Sequence, residues 1–169
     1  MDSDGSEVGI GQEGELVHRG PTVVKSYWRR PEEDAKTFKD GWVHTGDRVV
    51  KDRDGFYYFL GRTDEMIISG GENIFPAEVE DVIYAHPSVA NVAVIGVPDE
   101  QWGYTVKAII APKEGTAITE DEITKHVKQH LASFKKPRII EFVNDLPKLG
   151  TGKLDRQKIK EMYGKPDQE

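Results

Sequence analysis

The stretch that decides the fold spans residues 61–80 and reads GRTDEMIISGGENIFPAEVE. The apolar run at 66–68 is long enough for one strand, and Gly70 and Gly71 then allow backbone conformations that other residues avoid. Pro76 suits the first turn of a helix, where its missing N–H is not needed. The stretch therefore predicts a strand, a glycine-rich turn and a helix that packs on a core through apolar residues spaced three and four apart.

Composition limits the class of protein before any motif is considered. The chain has 169 residues, of which 37% are hydrophobic and 31% charged, as is typical of an ordinary folded domain. No apolar run approaches the roughly 20 residues that a membrane span needs. The lack of cysteine excludes a disulfide framework, a thiolate metal site and a cysteine nucleophile. Since the acidic, glycine-rich start is unlike a signal peptide, we expect a cytoplasmic protein.

Charge is distributed unevenly along the chain, which has a formal net charge of −7. Residues 64–134 are strongly acidic, whereas residues 135–169 carry a small positive excess. An acidic protein with a short basic end does not fit general nucleic-acid binding, which needs a broad positive face. The basic end is compatible with a small polyphosphate ligand, and also with a simple solvated, lysine-rich end.

Local patterns predict an α+β fold in two parts. Residues 1–61 are expected to be β-rich, because β-prone runs at 15–20 and 22–28 precede an Asp-Gly hairpin signal at 54–55. This part has few large aliphatic residues, so we expect it to pack on something outside this sequence. Residues 66–169 are expected to form a small α+β domain. Its predicted elements are strands at 89–97, 105–111 and 138–143 in a three-stranded sheet, and helices at 76–85, after the capping box Thr119–Glu122, and after Asp155.

Several motifs in the right order resemble those of one known superfamily. Residues 61–80 resemble the hinge and glycine-loop motif of the adenylate-forming, AMP-binding enzymes, and Thr45-Gly46-Asp47 resembles their TGD motif. Pro147 to Lys153 resembles their C-terminal PK-x-x-x-GK loop. The form SGGENI-x-P-x-EVE is most similar to the acyl- and aryl-CoA synthetases. The resemblance implies that residues 1–61 end the large AMP-binding domain, that 62–65 are the hinge with Asp64 as its pivot, and that 66–169 are the mobile C-terminal domain.

The same resemblance assigns residues to the ATP site. It implies that Asp47 binds the ribose hydroxyls and that Arg62 reaches the ribose or a phosphate. It also implies that Lys153 orients the substrate carboxylate and the α-phosphate of ATP, where a cation lowers the repulsion between two anions. From the residues alone, Asp47 as a turn cap and Lys153 in a surface Gly-Lys turn are the ordinary alternatives.

A CoA site is implied in a similar way. In CoA ligases that resemble this sequence, aromatic residues at the positions of Trp102 and Phe134 sandwich the adenine, and basic residues such as Lys135 and Lys136 meet the phosphates. The remaining predicted CoA-binding residues are those of the loop that lines the pantetheine tunnel, Ser69, Gly70, Gly71 and Glu72.

The resemblance implies a two-step ligase that takes a carboxylic acid, ATP with Mg²⁺, and CoA, with no permanently bound cofactor. We propose no metal site, because the five histidines lack ligand-like spacing with carboxylates. The partner is expected to be the large N-terminal domain of the same enzyme, and without its phosphate loop and acyl pocket we expect the chain alone to be inactive. Two alternatives stay open: an adenylation domain that passes its acyl group to a carrier protein, and a non-catalytic interaction module.

Overall fold

The computed structural model describes residues 1–165. Within them the chain forms four α-helices and two β-sheets, which confirms the α+β prediction. The chain divides into two compact units, the first ending at Asp64 and the second beginning at Glu65. No helix within residues 1–165 is both long and apolar enough to cross a membrane.

The first unit is a four-stranded antiparallel sheet with one short helix. Its long central strand is β3 (Trp42–Lys51), which pairs with all three of the others. The other elements are β1 (Glu13–His18), α1 (Pro31–Thr37), β2 (Phe38–Lys39) and β4 (Tyr57–Arg62). The predicted Asp-Gly hairpin is confirmed, since β3 and β4 pair across the turn in which Gly55 has a φ of +89°.

The β-prone run at 22–28 is not a strand, so that prediction is wrong. The segment consists of turns and irregular backbone. Its apolar side chains find no sheet to pack on, and Val24 and Trp28 stay 62% and 83% exposed. Strand preference depends on cross-strand neighbours rather than on the backbone alone, and this run has none within residues 1–165. Arg29 follows directly with a φ of +55°, which interrupts an extended path.

The first unit has almost no hydrophobic core of its own. Among its described residues, Val49 is the single buried hydrophobic side chain. The aromatic side chains that lead into and form β4 are instead more than half exposed, namely Phe56, Tyr57, Tyr58 and Phe59. An exposed row of large aromatic residues is unusual on a free surface and is typical of a contact face.

The second unit is built on a five-stranded mixed sheet. The long antiparallel pair β7 (Val89–Asp99) and β8 (Gly103–Pro112) forms its centre, and β9 (Ile139–Phe142) joins β8 in parallel. All three predicted strands are present. The strand predicted at 66–68 is present as β5 (Ile67–Ser69), and it joins this sheet by pairing with β8. The glycine turn leads first into β6 (Glu72–Ile74), which was not predicted, so the sheet has five strands rather than three.

Three helices complete this unit, and two of them begin at the predicted capping residues. They are α2 (Pro76–Tyr84), α3 (Glu120–His130) and α4 (Arg156–Tyr163). The capping box is formed in both directions, since the N–H of Glu122 donates to Oγ1 of Thr119 and the N–H of Thr119 donates to Oε2 of Glu122. Asp155 caps α4 by accepting the N–H of Lys158 at 3.0 Å.

The sheet of the second unit is buried on both faces. Successive residues of a strand point to opposite sides, so β7 and β8 contribute to two apolar clusters. The cluster that includes α2 and α3 contains Ile83, Val92, Val94, Val106, Ala108, Ile110, Ile123 and Val127. The cluster that includes α4 contains Ala93, Ile95, Val97, Ile109, Leu146 and Ile159.

Candidate functional site

The predicted nucleotide-binding residues come together within the first unit. Asp47 on β3 and Arg62 on β4 are direct cross-strand partners, and Nη1 of Arg62 donates to Oδ1 of Asp47 at 3.3 Å. The same nitrogen donates to the carbonyl oxygen of Thr45 at 3.1 Å, and Nε donates to Oδ1 of Asp64 at 3.1 Å. Arg62 therefore joins the predicted ribose-binding carboxylate to the predicted hinge residue.

Glu15, on β1, holds the irregular part of β3 that carries Asp47, where the register of β1 and β3 shifts. Its Oε1 accepts the N–H of Gly46 at 2.9 Å, and its Oε2 lies 2.8 Å from Nδ1 of His44. Burial raises the pKa of Glu15, but the hydrogen bonds from His44 and Gly46 outweigh it and leave the pKa below its ordinary value. Sequence reasoning did not identify this role of Glu15, because it depends on how β1 and β3 pair.

Gly46 itself allows the close approach of the arginine. It has a φ of +74°, and a Cβ at this position would lie 3.2 Å from Nη2 of Arg62. A side chain would therefore push against the guanidinium that contacts Asp47 and would also strain the backbone. This geometry explains the glycine of the Thr-Gly-Asp motif.

Lys153 lies at the end of a short turn that closes on itself. Leu149 donates its N–H to the carbonyl oxygen of Lys153 at 2.7 Å, and Gly152, with a φ of +83°, donates to that of Leu149 at 2.9 Å. The turn closes at its base, where the N–H of Asp155 donates to the carbonyl oxygen of Pro147 at 2.9 Å. Lys153 is exposed, and its ammonium group has no hydrogen bond or ion pair with residues 1–165. The turn thus presents a free cation.

The predicted glycine loop lies directly against Trp102. The N–H of Gly70 donates to the carbonyl oxygen of Trp102 at 3.0 Å, and a Cβ at Gly70 would come within 2.6 Å of Cε3 of the indole. The φ of Gly70 is +60°. Ser69 pairs with Gly103 and Glu72, which continues the contact between the loop and the start of β8. At Gly71 a Cβ would meet open space.

Arg138 stacks on Trp102, which the sequence analysis did not predict. Its guanidinium carbon lies 4.6 Å from the centroid of the indole ring. The contact follows from topology, because β8 and β9 are parallel and their starts lie at the same end of the sheet. Phe134 is 45% exposed, and within residues 1–165 its ring makes no stacking contact with Trp102.

The two predicted basic residues differ in their surroundings. Nζ of Lys135 lies 2.7 and 2.6 Å from the two carboxylate oxygens of Glu78 on α2, and 5.8 Å from the ring centroid of Phe134. Lys136 is half-buried, and no ion pair is formed by it within the described part of the chain. Lys136 therefore has the more available charge of the pair.

Three of the five histidines pack against one another rather than around a common point. The rings of His86 and His126 are 5.3 Å apart in an edge-to-face arrangement, and those of His126 and His130 are 4.8 Å apart. Nε2 of His126 lies 2.9 Å from the carbonyl oxygen of Val82. Within residues 1–165 no group of three or more histidine or carboxylate side chains is arranged to hold a metal ion.

Comparison with known proteins gives a consistent relationship over nearly the whole chain. Residues 78–153 match the family model of the AMP-binding enzyme C-terminal domain. The chain is 44% identical over 160 residues to a feruloyl-CoA synthase of an Amycolatopsis species, covering 95% of this chain and 33% of the relative. It is 42% identical over 170 residues to a medium/long-chain fatty-acid–CoA ligase of Mycobacterium tuberculosis, covering 96% and 30%.

The fold is also shared. The o-succinylbenzoate-CoA synthetase of Bacillus subtilis, solved in complex with its acyl-adenylate intermediate, superposes with a TM-score of 0.86 at 38% identity, covering 94% of this chain and 32% of that one. The chain spans about one third of the length of these relatives. It belongs to the adenylate-forming, AMP-binding enzymes and corresponds to the C-terminal part of their acyl- and aryl-CoA synthetases.

Proposed function

We propose that this chain is the C-terminal part of an AMP-forming acyl- or aryl-CoA ligase. The complete enzyme joins a carboxylic acid to ATP, taken as its magnesium complex, and releases pyrophosphate. It then transfers the acyl group from acyl-AMP to the thiol of CoA and releases AMP. The observation that carries the proposal is the cluster of Gly70, Trp102 and Arg138, which brings a glycine loop, an aromatic face and a cation to one end of the sheet.

In the first step, we assign nucleotide binding to Asp47 and Arg62. The Asp47 carboxylate, held at one oxygen by Arg62, keeps acceptor capacity for the adjacent ribose hydroxyls. The free ammonium group of Lys153 supplies the cation between the substrate carboxylate and the α-phosphate. Such a charge stabilises the negative charge that builds up in the transition state.

In the second step, we assign CoA binding to the cluster around Trp102. The indole of Trp102 and the ring of Phe134 offer faces on which adenine stacks, and Lys136 and Lys135 add charge near its phosphates. Arg138 lies in the same place and contributes a further cation. Ser69, Gly70, Gly71 and Glu72 form the loop that we assign to the pantetheine arm.

The two steps need different surfaces of the second unit, so we propose a rotation between them. The division into compact units falls directly after Asp64, whose side chain is 71% exposed. Hinges are a few residues at element ends that absorb large changes in φ and ψ. In this proposal 62–65 are the hinge and 66–169 are the mobile domain.

The partner that we propose is the large N-terminal domain of the same enzyme. Two observations support it: the relatives are about three times as long as this chain, and the first unit exposes the aromatic row at 56–59 while burying little. The phosphate loop and acyl pocket belong to that domain, so we expect the isolated chain not to form acyl-AMP. The cytoplasm is the location that we propose.

The proposed function is tested by asking which molecule accepts the acyl group, free CoA or a carrier protein. The complete enzyme is given acyl-AMP and either free CoA or a carrier protein that bears phosphopantetheine, and thioester formation is measured for the wild type and Trp102→Ala. We expect CoA to be the better acceptor, with a KM for CoA roughly tenfold higher in Trp102→Ala. The KM values for ATP and the acid, measured separately in acyl-AMP formation, should be unchanged. Tyr104→Ala, a half-exposed aromatic nearby on β8, is the control. Preference for the carrier, with no effect of Trp102→Ala, would contradict the proposal.

A further inference from the structure

Arg156 and Glu80 form a partly buried ion pair that connects α4 to α2. Nη1 and Nη2 of Arg156 donate to Oε1 and Oε2 of Glu80 at 2.5 and 2.6 Å, which is the bidentate geometry that arginine makes with a carboxylate. Oε1 of Glu80 also accepts the N–H of Val94 in the middle of β7 at 2.7 Å. The pair therefore fixes the first residue of α4 to both a helix and the central sheet.

The environment of the pair makes it sensitive to the loss of either partner. The Glu80 side chain is only 12% exposed, and Arg156 is 32% exposed. Burial works against the charge of Arg156, but hydrogen bonding and attraction to Glu80, with a contribution from Glu65, outweigh it and raise its pKa. A partly buried pair of this kind adds little net stability over apolar residues, and its clearer effect is to fix geometry.

The ion pair of Arg156 and Glu80 lies next to the turn that carries Lys153. Arg156 follows Lys153 by three residues, and the backbone hydrogen bonds that close the turn at 147–155 join residues of the turn to one another. These bonds define the shape of the turn but do not fix its direction relative to the sheet. That direction is set near the two ends. Leu146 is buried before the turn, where Lys148 also bonds to Asp145. At the other end Leu154 packs on the same apolar cluster as Leu146, and Arg156 adds the charged contact with Glu80.

We propose that Arg156 and Glu80 are positioning residues for Lys153, holding the turn so that its ammonium group reaches the reacting carboxylate and phosphate. This inference rests on the proposed function. Neither side chain contacts substrate in the proposal, and both act through the backbone direction of the turn. A displacement of about 1 Å at a reacting centre is enough to lower a rate on the order of 10²-fold.

Half-reactions of the complete enzyme test this role. Arg156→Gln is expected to lower the kcat of acyl-AMP formation on the order of 10²-fold, with KM values for ATP and the acid nearly unchanged. Thioester formation from supplied acyl-AMP should stay close to the wild-type rate, because it does not need Lys153. Arg156→Lys keeps the charge but loses the bidentate contact, and it should fall between the wild type and Arg156→Gln.

Two controls separate positioning from stability. Glu141→Gln breaks the ion pair of Glu141 with the buried Lys107 in the same unit, at 2.9 Å, and should leave both half-reactions near the wild type. The double variant Glu80→Gln/Arg156→Gln removes both charges of the close pair and leaves only the weaker 3.8 Å contact of Glu65 unpaired, so it remains informative where Arg156→Gln alone unfolds. It should show the same selective loss of acyl-AMP formation.

Lys153→Ala, measured in parallel, distinguishes failure of this inference from failure of the proposed function. If Lys153→Ala spares acyl-AMP formation, the proposed function is wrong. If Lys153→Ala lowers acyl-AMP formation but a folded variant at Arg156 lowers both half-reactions equally, or neither, Arg156 is a structural residue and the inference is overturned.

Discussion

Nε of Arg62 lies 3.1 Å from Oδ1 of Asp64, so the residue at the boundary between the two compact units is tied to the end of β4. The same guanidinium also contacts Asp47. The proposed nucleotide site and the proposed hinge are thus neighbours within one hydrogen-bonded group. Loss of the Asp64 carboxylate and restriction of its backbone are separate changes, and they can be tested separately.

Asp64→Pro tests the hinge. Asp64 lies in a single 3-10 turn, Thr63–Glu65. Proline fixes φ near −65° and restricts Thr63 before it, so the variant should hold the hinge near one conformation. In the complete enzyme we expect acyl-AMP formation to survive and thioester formation to be lost. Asp64→Ala removes the contact with Arg62 but leaves the backbone free, and it should retain both. Full overall thioester synthesis by Asp64→Pro would place the rotation elsewhere or remove it.

The lowered pKa of Glu15 predicts that the stability of the folded protein depends on pH. Its pKa is lowered in the folded protein, so its stabilising contribution is fully present above the unfolded value of about 4.5 and is lost as the pH falls through the folded value. Glu15→Gln should lower the free energy of unfolding by about 1 kcal/mol at pH 7, and the difference from the wild type should shrink below about pH 4.5.

Urea unfolding at several pH values measures this difference. Glu7→Gln is the control, because Glu7 is an exposed carboxylate of the same unit without a hydrogen bond or ion pair among the described residues. Its effect on stability should be small throughout. A difference between Glu15→Gln and the wild type that stays constant from pH 7 to pH 3 would show that the bonds of Glu15 do not depend on its charge.

Gly70→Ala tests the contact between the glycine loop and Trp102. Alanine at a φ of +60° strains the backbone, and its Cβ would also overlap the indole, so we expect a loss of about 2–4 kcal/mol in the free energy of unfolding. Gly71→Ala, with a φ of +88° and open space, carries the backbone strain alone and should cost about 1 kcal/mol. In a Trp102→Ala background the two substitutions should cost the same. If Gly70→Ala and Gly71→Ala lower the free energy of unfolding equally with Trp102 present, the loop moves away from the indole without cost and the contact is not tight.

The sequence predicted best those features that lie within a few residues of each other. The capping box of Thr119 and Glu122, the cap at Asp155 and the Asp-Gly hairpin each join residues close in the chain, so local pattern was sufficient. The run at 22–28 failed for the opposite reason, since strand formation needs neighbours that the local pattern does not contain.

The candidate site was predicted only as separate motifs, because its contacts join distant parts of the chain. Glu15 and Gly46 are 31 residues apart, Glu78 and Lys135 are 57, and Glu80 and Arg156 are 76. Each contact depends on strand pairing or on the packing of helices over the sheet. A resemblance assigns residues to a ligand, but it does not reveal which side chains hold them in place.

Lys153→Ala tests the central claim most directly, with ATP–pyrophosphate exchange and CoA-dependent consumption of supplied acyl-AMP measured on the complete enzyme. Lys158→Ala is the matched control, since Lys158 is an exposed lysine five residues further on. We expect Lys153→Ala to lower exchange on the order of 10²-fold and to leave consumption of acyl-AMP near the wild-type rate. Exchange at the wild-type rate, or equal loss in both assays, would contradict the account.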